Sequence, residues 1–416
     1  MKVVIIAGGQ GTRIASVYKE IPKAMIPVCG KPILEHQIEM AKRYGFSDFL
    51  FLIGHLGHII KDYFQNGQEW DVNIEYYEEQ QPLGTAGALG LIKDRLTEDF
   101  FVFYGDTVMD IDMLRMADFH KSQHADATLC VHPNDHPYDS DIIEMDDEYR
   151  VRMFHNKPHP ESFISHNIVN AALFIFNKKI TDFITPGVKS HIEKHVLPAC
   201  KNAGLRIFGY LTSEYIKDMG TPERYNKVCN DWESGKVSSM NFSHKRKAIF
   251  LDRDGVINKD TGLIYRLEDV EIIEDIEDAI NYIHEKGYLA VIISNQSVIA
   301  RNLCTFEELD TINAYIETLL GKKHSYIDAI YCCPHHPDSG YPEERKEYKI
   351  DCECRKPKPG LLLKAAKELN IDLSESVMIG DRDSDVTAGN NAGVKISEKI
   401  ASNTPGALLT LLKKYI

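Results

Sequence analysis

Short apolar runs alternate with amphipathic stretches along the whole chain of 416 residues. In the stretch between the first two runs, Ile33, Leu34, Ile38 and Ala41 recur at helical spacing, and Gly45 predicts where that helix ends. Such alternation is typical of an α/β protein whose strands are mainly parallel. The predicted strands are 3–7, 49–53, 100–104, 128–131 and 171–176 in the first half, and 248–251, 289–293, 329–332 and 377–379 in the second.

The apolar periodicity lapses once, in a polar stretch between about residues 235 and 247. Just before it, Thr221-Pro222 predicts a helix start, with a hydroxyl cap and a proline at the first helical position. We interpret 236–246 as a linker between two domains, 1–235 and 247–416.

The composition excludes several classes of protein. The formal charge of −14 is spread over both halves, so neither supplies the basic excess that non-specific binding to nucleic acid or an anionic membrane needs. Apolar runs are too short for a membrane span or a signal-peptide core. An odd number of cysteines, nine, favours reduced thiols. We therefore expect a cytoplasmic protein that acts on small molecules; the sequence does not predict its oligomeric state.

A glycine-rich turn follows the first predicted strand. Gly8, Gly9 and Gly11 let the backbone approach an anion closely, Thr12 follows, and Arg13 can neutralise a polyphosphate. A tight turn without a ligand would use the same glycines. The phosphate interpretation is strengthened downstream, where two prolines stiffen the segment that presents Lys23, in Pro22-Lys23-Ala24-Met25-Ile26-Pro27-Val28.

These two motifs resemble the signature of the sugar-phosphate nucleotidyltransferases, and the resemblance covers about residues 1–235. It implies a Rossmann-like, GT-A-like α/β domain that joins a sugar 1-phosphate to a nucleoside triphosphate. Arg13 would then neutralise the triphosphate, Lys23 the reacting phosphates, and Asp106 and Asp218 would bind Mg²⁺. Gly84 and Thr85 would lie in the base-binding loop, and Lys157 and Asn170 would bind substrate at the sugar end.

The nucleotide base and the sugar are less determined. Glu79 could accept hydrogen bonds from guanine, which favours GTP, although a surface glutamate would fit the same run of polar residues. At the sugar end this chain has Asn156 and Ala172 where many members of the family have glutamate and glycine. These differences leave the sugar open but not the type of reaction.

In the second half, two acidic residues, Asp252 and Asp254, directly follow the predicted strand 248–251. Ser294, Lys356 and an acidic strand end at Asp381 follow in order, and the whole pattern resembles the haloacid-dehalogenase superfamily of phosphatases. The resemblance implies that Asp252 is the nucleophile and Asp254 the acid and base, while Ser294 and Lys356 hold the phosphoryl oxygens. Mg²⁺ would be bound by Asp252, the backbone carbonyl of Asp254 and Asp381, with Asp385 as a supporting acid.

Four further residues have the spacing of a metal site. Cys333-x-His335 and Cys352-x-Cys354 fit a closed tetrahedral zinc site that would hold a loop in place and position the residues after it. His336 is a competing ligand, and Cys332 is expected to face the core at the end of a strand.

Within this superfamily, the cysteine loop makes the second half of the chain similar to the heptose 1,7-bisphosphate phosphatases and to the related histidinol-phosphate phosphatases. Asn295, Arg301 and Arg355 would then bind substrate, the two arginines at its remote end, although Val298 and Asn302 replace two expected glycines. Removing the 7-phosphate of the heptose bisphosphate yields a sugar 1-phosphate, which is what a nucleotidyltransferase uses. We therefore expect a bifunctional enzyme that also transfers GMP from GTP, for surface glycan synthesis. The alternatives are a mannose-like sugar paired with a histidinol-phosphate-type phosphatase, or with a non-catalytic zinc-held module.

Overall fold

The computed structural model describes residues 1–9, 20–338, 340 and 343–416. They form two compact units. The first comprises 1–132, 141–156 and 169–241, and the second comprises 133–140, 157–168 and 242–416. The main division therefore falls within the predicted linker, while two short earlier segments are grouped with the second unit.

The first unit is built on a nine-stranded mixed sheet. Its path runs β10-β9-β11-β6-β1-β4-β5, and β8 joins β11 to β12. The pairs β1–β4, β1–β6 and β4–β5 are parallel, so the ends of these strands meet at one edge of the sheet. The strands of this unit are Val3–Ile6 (β1), Pro27–Val28 (β2), Lys31–Pro32 (β3), Asp48–Ile53 (β4), Asn73–Glu78 (β5), Phe100–Tyr104 (β6), Thr107–Asp110 (β7), Ala127–His132 (β8), Ile142–Met145 (β9), Val151–His155 (β10), Val169–Phe176 (β11), Ile207–Leu211 (β12) and Tyr215–Asp218 (β13).

Helices cover the sheet of the first unit. The first helix was predicted from its apolar spacing, and Ile33, Leu34, Ile38 and Ala41 are all fully buried. The predicted start at Thr221 is also confirmed, since its side chain accepts the Arg224 N–H. The helices are Ile33–Arg43 (α1), Gly57–Phe64 (α2), Gly87–Leu91 (α3), Met113–Ser122 (α4), Leu197–Asn202 (α5), Pro222–Glu233 (α6) and Lys236–Ser239 (α7), and a π-helical turn, Ile192–Val196, precedes α5.

The second unit is an all-parallel, five-stranded sheet in the order β16-β15-β14-β17-β18. Its three central strands, β15, β14 and β17, are nearly continuous apolar runs, as expected when both faces of a sheet are covered by helices. The strands are Lys247–Leu251 (β14), Tyr288–Asn295 (β15), Ala329–Cys333 (β16), Val377–Gly380 (β17) and Ile396–Lys399 (β18), and the helices are Ile276–Glu285 (α8), Phe306–Gly321 (α9), Gly360–Glu368 (α10), Asp383–Ala392 (α11) and Ala407–Tyr415 (α12).

The stretch interpreted as a linker is more ordered than its polar composition suggests. It contains the single turn α7, in which Val237 is 2% exposed, and the following Met240, Asn241 and Phe242 are also buried. Asn241 is bonded to Asp110 and Tyr44 of the first unit, and Phe242 packs against Arg246 of the second. Along the described part of the chain, no helix combines the length and apolarity needed to cross a membrane.

Candidate active sites

The glycine turn after β1 packs against the acidic side chain of Glu79. A Cβ atom at Gly8 would sit 2.4 Å from Oε2 of Glu79, whereas one at Gly9 would have no neighbour within 4 Å. Burial raises the pKa of Glu79, and a hydrogen bond from the Leu83 backbone opposes that rise. Gly8 therefore leaves room for Glu79 in the predicted nucleotide pocket. Gly11, Thr12 and Arg13 lie outside the described residues.

The predicted base-binding loop is shaped by a segment that sequence reasoning missed, residues 188–193. Gly84 has a φ of +74°, and a Cβ there would meet Ser190 O at 2.3 Å. Main-chain bonds join Ala86 N to Ser190 O and Ser190 N to Leu83 O, at 3.0 and 2.9 Å. The Thr85 hydroxyl accepts the Ile192 N–H at 2.9 Å. Residues 188–193 therefore pack against the base-binding loop and hold it in place through these hydrogen bonds.

The two predicted magnesium aspartates of the first unit lie at adjacent positions. Asp106 follows β6, and Asp218 pairs in register with Thr107, the next residue along. Directly opposed residues in an antiparallel pair have Cα atoms about 4.5–5.5 Å apart. Lys23 forms an ion pair with Asp106 Oδ2, and Arg224, which sequence reasoning missed, donates to both oxygens of Asp218 at 2.8 and 2.9 Å. Two carboxylates flanked by two cationic side chains fit a site that binds a phosphate group together with a divalent cation.

The two residues predicted at the sugar end are placed in different units. Asn170, on β11, donates its main-chain N–H to Asp141 O at 3.0 Å. Lys157 belongs to a segment of the second unit, and its ammonium group donates to the Asp139 carbonyl at 2.5 Å. The structure therefore groups Asn170, but not Lys157, with the other predicted residues of the first unit.

The second candidate site lies at the carboxyl edge of the parallel sheet, where ligands bind in open α/β folds. Asp252 follows β14, Ser294 lies near the end of β15, and Asp381 follows β17. Carboxylate oxygens of Asp252, Asp381 and Asp385 lie within 4.8 Å of one another. Two buried acids, Asp252 and Asp385, and the partly exposed Asp381 thus converge on one point.

A buried lysine partly neutralises these acids. The Lys356 ammonium lies 2.8 Å from Asp252 Oδ1 and 2.7 Å from Asp385 Oδ1, and it donates to Ile293 O at 2.7 Å. Burial raises the pKa of Asp252 to about 6 even though the Lys356 charge opposes the rise. Oδ1 of Asp381 has no hydrogen-bond partner among the described residues. Three carboxylates here face one lysine, so negative charge exceeds positive charge. This excess, together with the unbonded oxygen of Asp381, fits a bound divalent cation.

Asp254 points to a different set of partners. Its carboxylate accepts from Arg253 Nε at 2.9 Å, Asn258 Nδ2 at 3.0 Å and Gln296 Nε2 at 2.8 Å. Burial alone would raise the pKa of Asp254, but the charge of Arg253 and these bonds lower it. Gln296 also donates to the Ser294 hydroxyl at 2.8 Å, so it connects two predicted catalytic groups. Arg253 and Gln296 were not singled out from the sequence.

Cys333, His335, Cys352 and Cys354 converge as a group that could hold a metal ion. Their sulfur atoms are 3.1–3.5 Å apart, and His335 Nδ1 is 3.3 Å from the Cys354 sulfur. A tetrahedral site with metal–sulfur bonds of about 2.3 Å has sulfur–sulfur edges of about 3.8 Å, so a small expansion would admit zinc.

The competing histidine lies apart from this group. His336 places Nε2 3.4 Å from Arg301 Nη2. Arg355 donates to the His335 carbonyl at 2.9 Å, and the main chain of Lys356 exchanges two 3.0 Å bonds with the Asn295 amide. The cysteine cluster therefore positions the segment that bears Arg355 and Lys356. Cys332 is half-buried and lies 3.7 Å from Asn313 Nδ2.

Comparison with known families agrees with this division. Residues 2–235 match the family described as nucleotidyl transferase, and residues 353–397 match a family described as HAD-hydrolase-like.

Individual relatives cover each part. The D-glycero-beta-D-manno-heptose-1,7-bisphosphate 7-phosphatase of Haemophilus influenzae is 40% identical over 38% of this chain and 84% of its own length. The mannose-1-phosphate guanylyltransferase of Mycobacterium tuberculosis is 31% identical over 57% of this chain and 66% of its own length. Among solved structures, HddC from Yersinia pseudotuberculosis complexed with GMP-PN is 27% identical, with a TM-score of 0.48, over 56% of this chain and 99% of that one.

Proposed function

The chain belongs to the nucleotidyl transferase family through residues 2–235 and, through its C-terminal part, to the family of the heptose bisphosphate phosphatases, and we propose that it makes a nucleotide-activated heptose. The second unit would remove the 7-phosphate of D-glycero-D-manno-heptose 1,7-bisphosphate. The first would then transfer a nucleotide to the heptose 1-phosphate.

One observation carries this proposal: the product of one family is the substrate of the other. A 7-phosphatase acting on a 1,7-bisphosphate leaves a sugar 1-phosphate, and a nucleotidyl transferase of this class uses a sugar 1-phosphate as its acceptor. A histidinol-phosphate-type phosphatase would leave nothing for the first unit to use. The 40% identity to a heptose 7-phosphatase supports the first of these pairings.

The geometry of the second unit supports phosphate release through a covalent adduct. A carboxylate oxygen of Asp252 would attack phosphorus and form an aspartyl phosphate, while Asp254 gives a proton to the departing sugar oxygen. Asp254 would then take a proton from the water that hydrolyses the adduct. Lys356, with its ammonium 2.8 Å from Asp252, would neutralise the phosphoryl oxygens with the help of the Ser294 hydroxyl.

In the first unit, catalysis would consist of positioning and charge neutralisation. An oxygen of the sugar 1-phosphate would attack the α-phosphorus, and the bond to the leaving pyrophosphate would break. Lys23, which forms an ion pair with Asp106, would hold the reacting phosphates, and Arg13 would neutralise the triphosphate.

Two metals belong to this proposal. Mg²⁺ would neutralise phosphate charge, held by Asp106 and Asp218 in the first unit and by Asp252, Asp381 and the Asp254 carbonyl in the second. Zinc would occupy the Cys333, His335, Cys352 and Cys354 cluster in a structural role.

We assign guanine as the base. Glu79 lies against Gly8 with its carboxylate in the predicted base pocket, where it could accept from the N1–H and N2–H₂ groups of guanine. The guanylyltransferase that is 31% identical to this chain supports the same base. Because the donor is a nucleoside triphosphate and the metal-site cysteines must be reduced, we place the reaction in the cytoplasm.

The test follows both half-reactions in one mixture. The protein is incubated with the bisphosphate, Mg²⁺ and GTP, with inorganic phosphate, pyrophosphate and nucleotide sugar measured separately. Asp252→Asn should abolish phosphate release, and Asp106→Asn should release phosphate at the parent rate and accumulate heptose 1-phosphate.

Substrate panels address the alternatives. Histidinol phosphate replaces the bisphosphate in one series, and ATP, UTP and mannose 1-phosphate replace their counterparts in another. Phosphate release by Asp252→Asn at the parent rate would show that the phosphatase assignment is wrong. A preference for histidinol phosphate would show that the heptose assignment is wrong.

A further inference from the structure

Glu193 lies in the first candidate site. Its carboxylate has no role in the reaction described above. It lies in the π-helical turn Ile192–Val196. Its Oε1 accepts the Tyr104 hydroxyl at 2.5 Å, and its Oε2 lies 3.5 Å from the Thr85 hydroxyl. Tyr104 is two residues from Asp106, and Thr85 belongs to the predicted base-binding loop, so the carboxylate lies between the loop and the predicted metal site.

These contacts leave Glu193 with unused capacity to accept hydrogen bonds. A carboxylate has about four acceptor sites, and the Tyr104 hydroxyl and the N–H of Glu193 itself fill two of them. The Thr85 contact is at the limit of hydrogen-bond length. In the part of the chain that the structure describes, no cation forms an ion pair with Glu193.

The charge itself requires explanation. A glutamine would satisfy Tyr104 and Thr85 equally well, and an unpaired carboxylate in such a place is costly. Burial raises the pKa of Glu193, and the nearby carboxylate of Asp141 adds to the rise. The main-chain carbonyl of Asp141 accepts the main-chain N–H of Asn170, so Glu193 and Asp141 lie on the side of the site predicted to take the sugar.

We propose that Glu193 is a sugar-binding residue that accepts hydrogen bonds from hydroxyl groups of the sugar 1-phosphate. Neutral hydroxyls are strong partners for a carboxylate, since hydrogen bonds to a charged acceptor exceed those between neutral groups. Tyr104 would hold the carboxylate in its orientation. This assignment rests on the proposed function, because it takes a sugar 1-phosphate as the acceptor substrate.

The test separates sugar binding from support of the loop. Steady-state kinetics of Glu193→Ala and Glu193→Gln are measured with heptose 1-phosphate and GTP varied in turn. We expect Glu193→Ala to raise KM for the sugar phosphate by about 10–100-fold and Glu193→Gln by a smaller factor, with KM for GTP within twofold of the parent. Thr85→Ala, which removes the acceptor of the Ile192 N–H, should instead raise KM for GTP.

Lys194→Gln is the matched control, because Lys194 is the exposed neighbour of Glu193 and should leave both constants unchanged. A rise in KM for GTP equal to that for the sugar, or an unchanged KM for the sugar, would overturn the proposal and assign Glu193 to loop support.

Equilibrium binding of heptose 1-phosphate to the parent and to Glu193→Ala distinguishes this failure from that of the proposed function. If the parent binds the sugar phosphate but transfers no nucleotide, the proposed function is wrong, and a weaker complex with Glu193→Ala still supports the sugar contact. Equal binding by the two proteins would refute it.

Discussion

Replacing Asp252 with asparagine is expected to stabilise the second unit at pH 8 while removing its phosphatase activity. Asp252 is 7% exposed, and burial raises its pKa from 3.8 to about 6, against the opposing charge of Lys356. Asparagine keeps an acceptor for the bonds of 2.8 Å from the Lys356 ammonium and the Arg253 N–H. The substitution therefore removes a buried charge without removing those hydrogen bonds.

The size of the effect follows from proton linkage. An acid whose pKa is higher in the folded state costs no stability below its unfolded pKa, and the full cost is present above its folded pKa. For Asp252, with a pKa of 3.8 in the unfolded chain and about 6 in the folded one, stability is lost as the pH rises through that interval. At 1.36 kcal/mol per pKa unit the loss is about 3 kcal/mol at pH 8 and about 1 kcal/mol at pH 4.5. Asparagine carries no charge at either pH, so the variant avoids the loss of stability at both.

Hydrogen–deuterium exchange of peptides from β14 and β15, in Mg²⁺-free buffer, measures this difference. Relative to the parent, Asp252→Asn should slow exchange by about 100-fold at pH 8 and about fivefold at pH 4.5. Asp278→Asn is the control, because Asp278 lies on the exposed face of α8 and its carboxylate stays in water in both states. Exchange in Asp252→Asn as fast as in the parent at pH 8, or a ratio independent of pH, would refute the reasoning.

Three further changes have defined outcomes. Gly8→Ala should raise KM for GTP at least about tenfold, because the new methyl carbon would lie 2.4 Å from a carboxylate oxygen of Glu79. Cys354→Ser should lose bound zinc, measured by elemental mass spectrometry, and slow phosphate release but not nucleotidyl transfer; the exposed Cys29→Ser should retain zinc and both rates. Thr221→Ala removes a helix cap and should destabilise α6 by about 1 kcal/mol, seen as faster exchange of peptides from 222–233.

Features encoded locally could be predicted from the sequence. The central strands are apolar runs that end in glycine or an acid, so β1, β6, β14 and β17 and the groups that follow them were found in advance. The spacing of cysteine and histidine likewise predicted which four side chains come together. The sequence left His336 open as a competing ligand, and only the fold shows that His336 lies against Arg301 and not in this group.

Features that depend on distant packing were missed. The backing of the base-binding loop by residues 188–193 joins groups more than 100 positions apart, and that segment has no apolar period or glycine pattern to mark it. Arg224 lies in a helix whose cap was predicted, but its contact with Asp218 depends on the turn between them. Asp385 was assigned a supporting place, yet it is fully buried and contacts Lys356, which only the packing of α11 against β17 reveals.

The charges of the two candidate sites also argue for an order of reactions. In the second unit, Arg301 and Arg355 offer positive charge around the predicted remote end of the substrate, which suits a sugar that still carries its second phosphate. In the first unit, the carboxylates of Glu193 and Asp141 lie near each other on the proposed sugar side, where they would accept hydroxyl hydrogen bonds but repel a phosphate dianion. The 7-phosphate should therefore leave before nucleotidyl transfer. With Asp252→Asn, which cannot release phosphate, the first unit should use heptose 1-phosphate well and the 1,7-bisphosphate poorly, and equal use of the two would contradict this order.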